Sequence, residues 1–128
     1  MKYYFNKIVD MTFEETIDKV TEELKKEGFG VLTQIDVTGT LKKKIDVDFR
    51  KYRILGACNP NFAYKALLEE DKIGTMLPCN VIVQEKPDGK IEVAAVDPIA
   101  SMQAIQSDEL GEIASQVQLK LKQVIENT

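Results

Sequence analysis

Apolar and polar positions recur along this chain with two periods, and the switches between them divide it into strands and helices. Residues 3–9 are aromatic and β-branched enough for a first strand, although their alternation is imperfect. From Phe13 the period lengthens. Phe13, Ile17, Val20 and Leu24 share one helical face, while Glu14, Asp18, Glu22, Glu23 and Lys25 fill the other. Thr12 and Glu15 have capping-box spacing, in which hydroxyl and carboxylate each satisfy a backbone N–H at the helix start. Gly28 offers the left-handed conformation that ends such a helix. The carboxylates along it read as a solvated face rather than a catalytic cluster.

Val31, Thr33, Ile35 and Val37 alternate with Leu32, Gln34 and Asp36, which predicts a half-buried second strand. Leu41 and Ile45, four apart, predict a short helix within residues 38–47. Residues 52–58 read as a third strand and residues 60–69 as a helix with Ala63, Ala66, Leu67 and Tyr64 inward, broken by Gly74. Residues 79–86 form a strand centred on Val81, Ile82 and Val83, and Pro87-Asp88-Gly89 supplies turn chemistry for a hairpin into residues 91–96. Asp97-Pro98 has the form of an N-cap followed by proline at the first helical position, starting a short turn toward Met102 and Ile105. Ser107 caps a final helix whose buried stripe is Leu110, Ala114, Val117, Leu121 and Val124. Adjacent strands mixed with helices give α+β: one two-layer domain over residues 1–128, a partly antiparallel sheet with long amphipathic helices on one face.

At 128 residues, with 44% hydrophobic and 30% charged positions, the chain is one ordinary globular domain. Acidic residues outnumber basic ones, 21 to 17, so no basic footprint invites nucleic acid. Lys42-Lys43-Lys44 is followed by Asp46 and Asp48 and reads as a solvated helix face. No apolar run approaches the ~18 residues of a membrane span, and the first residues lack an apolar export core, so a cytoplasmic chain is expected.

There is no histidine, and two cysteines carry the only sulfhydryls. Reduced thiols are the expectation in that compartment, with a Cys58–Cys79 bridge as the alternative. Cys58 closes the third strand, and Asn59-Pro60 opens the next helix with Asn as N-cap, so a Cys58 thiolate gains from the helix N-terminus if the sulfur points toward it. Gly56, on the same strand face, leaves space for a ligand or another backbone, or merely lets a helix pack. Pro78 places Cys79 at the start of a central strand with Val81 and Val83 on its side. If these strands are neighbours the sulfurs could face one another. Two cysteines without imidazole fall short of a structural zinc set, and Cu(I) would need Met76 or Met102 as a thioether or a second copy's cysteines, so no metal and no cofactor is assigned. Ser-His-Asp catalysis is excluded, Gly28-Phe29-Gly30 is too short for a dinucleotide fingerprint, and Glu85 and Glu92 read as hairpin surface charges rather than an acid–base pair.

Arg53-Ile54-Leu55-Gly56-Ala57-Cys58-Asn59-Pro60, Ala63, Leu67, Gly74, Leu77-Pro78-Cys79-Asn80-Val81, Val83 and Asp97-Pro98 together resemble the pattern of domain-of-unknown-function family 302. The resemblance spans nearly the whole chain. It implies a small bacterial or archaeal α+β domain that often forms dimers and has no established activity, so a homodimer is the expected assembly. Carried over residue by residue, it singles out Gly56, Cys58, Asn59, Pro60, Pro78 and Cys79; Gln84 stands where relatives often have tyrosine. Three readings follow. The first is a binding or sensing module with a small-molecule cleft at Cys58, Asn59 and Cys79. The second is a thiol enzyme or redox protein in which Cys58 attacks and Cys79 resolves. The third is a structural homodimer with core cysteines.

Overall fold

In a computed structural model describing residues 2–128, strands β1 (Tyr4–Val9), β2 (Gly30–Asp36), β3 (Tyr52–Cys58), β4 (Cys79–Glu85) and β5 (Ile91–Val96) form one sheet. Their spatial order is β1-β5-β4-β3-β2, and every pairing is antiparallel rather than only some of them. Helices α1 (Phe13–Lys26), α2 (Val37–Ile45), α3 (Pro60–Glu69), α4 (Pro98–Ser101) and α5 (Asp108–Asn127) complete the α+β fold, with a 3-10 turn at Ile73–Met76.

The capping box forms as expected: Glu15 N–H donates to Thr12 Oγ1 at 3.1 Å and Thr12 N–H to Glu15 Oε1 at 3.2 Å. Gly28 has φ +86° just past the end of α1. Val20, Leu24, Leu121 and Val124 are fully covered where α1 and α5 lie on the sheet, meeting Leu55, Val81, Val83 and Val93 from its inner face. Each such side chain contributes about 1.5–3 kcal/mol of burial. The whole expected stripe of α5, Leu110, Ala114, Val117, Leu121 and Val124, is buried.

Antiparallel register orders the other face into rows. Asn6, Ala94, Ile82, Ile54 and Ile35 line up across all five strands, and Ile8, Glu92, Gln84 and Tyr52 form the next row. No helix layer covers these rows, so Ile8 and Ile35 stay exposed.

Three expectations are corrected. β2 is an exposed edge strand rather than half-buried, with a register shift between Val31 and Thr33. Ala66 is buried as expected, but Tyr64 and Leu67 point outward and Phe62 packs on the core instead. Glu23 is covered, bracketed by Lys26 at 2.8 Å and Lys19 at 3.1 Å, whose hydrogen bonds hold its carboxyl below the usual range. The hairpin carboxylates behave as expected: Glu85 pairs with Ile91 and Gln84 with Glu92, so they alternate onto opposite faces and form no dyad.

Candidate functional site

Where β3 ends and β4 begins, the sheet, α3, α4 and α5 border an almost wholly apolar, partly open cavity of about 40 Å³. Cys58, Asn59, Pro78 and Cys79 border it; Gly56 and Pro60 do not. Phe62 and Ala66 from α3 and Val117 from α5 close it on the helical side. Sequence reasoning missed these last three as wall residues, although their helical spacing had placed two of them inward. Volume alone admits water, but a water needs polar partners that this lining lacks.

The cysteines occupy unequal positions. Cys79 lies opposite Ala57 in the register, so both belong to the covered face of the sheet. Cys58, one residue beyond Ala57, is half-buried where the strand ends and borders the cavity from a position out of register with Cys79. β3 and β4 are indeed neighbours, yet the expectation that the two sulfurs face one another fails because Ala57, not Cys58, takes the place opposite Cys79. Both thiols are free. Burial, and secondarily the charge of an ionised Cys58, push the Cys79 thiol up to about 11. At neutral pH it is a protonated, weakly nucleophilic core thiol.

Asn59 occupies the N-cap position of α3, but its side chain makes no capping bond. Its Nδ2 donates instead to the Glu27 carbonyl at 3.3 Å, tying the end of α1 to the start of α3. Gly56 is not open space for a ligand: a Cβ there would collide with the Thr33 hydroxyl and lie 2.9 Å from Pro78 Cγ. Its bareness lets Thr33 and Pro78 close over the sheet beside Cys58. Among the described residues no group of three or more metal-ligating side chains comes together, and no helix is long and apolar enough to cross a membrane.

The family model described as domain of unknown function DUF302 matches residues 5–128. A crystal structure of an uncharacterized conserved DUF302 protein from Bacillus stearothermophilus superposes with a TM-score of 0.92 at 31% identity, covering 99% of this chain and 98% of that one. No curated protein matches.

Proposed function

The chain belongs to the DUF302 family, and we propose that it is a binding module for a small apolar molecule seated between α3, α5 and the ends of β3 and β4. The observation that carries this reading is the apolar cavity of about 40 Å³ bordered by Cys58, Asn59, Pro78 and Cys79. Native interiors leave few voids, and an apolar one stays dry and accepts apolar guests. Only Ala66 of α3 is buried, so this helix can shift to admit a guest larger than the resting space. A guest would couple α3 to α5, which gives the module a way to report occupancy. The paired-thiol reading gains nothing from a Cys79 held protonated and out of register with Cys58.

Xenon is the probe. Methyl resonances of Ala66, Ala114 and Val117 are expected to shift under xenon pressure, and Ala66→Val, which fills the space, is expected to abolish the shifts. Unchanged spectra in the wild-type chain would overturn the reading. Self-association forms part of the same proposal: light scattering at twice the chain mass supports it, and the monomer mass overturns that part alone.

A further inference from the structure

We infer that the uncovered face of the sheet binds a small amphoteric molecule, an ammonium and a carboxylate on an apolar body, in a cleft over Ala94 and Ile82. This has the chemistry of a free apolar α-amino acid. The cleft has a volume of about 490 Å³ and is separate from the apolar cavity on the helical side. Its floor is the small side chain of Ala94 beside Ile82, register partners on neighbouring strands. Tyr3 and Tyr4, packed edge to face at 5.1 Å, and Tyr52 supply its aromatic walls.

The polar end is already organised. Glu92 Oε2 accepts from Asn6 Nδ2 at 2.9 Å and Glu92 Oε1 from Gln84 Nε2 at 2.8 Å, while Gln84 Oε1 accepts from Arg50 Nε at 2.9 Å. These neutral donors fix the carboxylate without neutralising it, and each oxygen keeps acceptor capacity. Among the described residues Glu92 has no salt-bridge partner, and neither does Lys86, which lines the same cleft. Tyr4 and Tyr52 each already hold a cation of the chain over one face, Lys2 Nζ at 5.0 Å and the Arg50 guanidinium at 5.7 Å, which leaves the unpaired Glu92 carboxylate as the strongest site for a guest ammonium. Glu92 is therefore the place for the ammonium, Lys86 for the carboxylate, and the Ile82–Ala94 floor for the apolar body. A fixed carboxylate loses little freedom on binding, which favours affinity. A second copy of the chain fits this face less well. The row of Glu92 and Gln84 crosses it, and charged groups are depleted at the cores of protein interfaces.

Backbone amide shifts of the full chain, titrated with L-phenylalanine, phenethylamine and 3-phenylpropionate, test the inference. L-phenylalanine is expected to move the amides of Tyr4, Ile82 and Glu92 and to bind about tenfold or more tighter than either singly charged probe, the scale of one charge-assisted hydrogen bond. Glu92→Gln is expected to weaken L-phenylalanine by a similar factor and leave 3-phenylpropionate unchanged. Lys86→Gln does the converse, weakening L-phenylalanine and sparing phenethylamine, and it decides the matter alone if the Glu92 variant fails to fold. Equal binding of the three probes, no shift at millimolar L-phenylalanine, or indifference to Lys86→Gln would overturn the site. So would concentration-dependent shifts of the same amides without ligand, which would mean that a second copy covers the face.

Discussion

Burial is the first cause that pushes the Cys79 thiol from 9.0 up to about 11, and the charge of Cys58 is the second. A group whose folded value lies above its unfolded value holds its proton longer in the native state. The resulting stability is fully present below about pH 9 and is lost as pH rises from 9 toward 11, no more than about 3 kcal/mol in all. Urea midpoints of the wild-type chain are therefore expected to fall across that window more steeply than those of Cys79→Ala; parallel slopes would show that the thiol is not the titrating group. Gly56 offers a second test at this scale. Thr33 and Pro78 crowd its α-carbon, so Gly56→Ala is expected to cost about 1–3 kcal/mol through overpacking. Thr33→Ala removes the hydroxyl in the way, so the double variant should recover part of that loss. Strictly additive denaturation energies would rule out the collision.

At the scale of elements, Asn59 joins two helices rather than capping one. Because Nδ2 donates to the Glu27 carbonyl, Asn59→Asp removes the donor and sets a carboxylate against a carbonyl oxygen. It is expected to lower stability by about 1 kcal/mol. If the side chain capped α3, aspartate would serve as well as asparagine, and an unchanged or raised melting temperature would reveal that. The sequence marks Asn59 as the N-cap residue because Pro60 follows it, but the competing acceptor lies 32 positions away in the chain. Local chemistry settles boundaries in the same way elsewhere: β3, α3 and β5 begin and end where turn, proline and alternation place them. Which side of an element is covered is a tertiary matter. In α3, Phe62, Ala63, Tyr64, Ala66, Leu67 and Leu68 spread apolar groups around the axis, so periodicity selects no unique face, and the packing of α5 turns Tyr64 and Leu67 outward. The strand alternation that separates Glu92 from Glu85 is legible, yet the cleft over Ala94 needs the strand order, which no local pattern contains. Likewise the phrase around Cys58 and Cys79 locates the cavity, while the register that parts the two sulfurs emerges only when β3 and β4 pair.

Over the whole molecule, cover is one-sided and stability should be distributed accordingly. α1 and α5 bury continuous stripes against the inner face, whereas α2 has no buried residue and sits beside the exposed edge strand β2. Segments with little buried apolar surface open locally at less than the global free energy. Thr38 ties α2 to the third strand: its Oγ1 donates to the Arg50 carbonyl at 2.7 Å and accepts from Tyr52 N–H at 3.0 Å. Amides of α2 are expected to exchange with solvent deuterium well before those of β4 and β5, whose central positions pair on both sides. Thr38→Val keeps the side-chain shape and removes both hydrogen bonds. It should speed exchange in α2 and at Tyr52 while leaving the slowest amides of Val81, Val83 and Val93 nearly unchanged. Were those core amides to accelerate by the same factor, α2 would be part of the global folding unit, and its lack of buried side chains would not measure its independence.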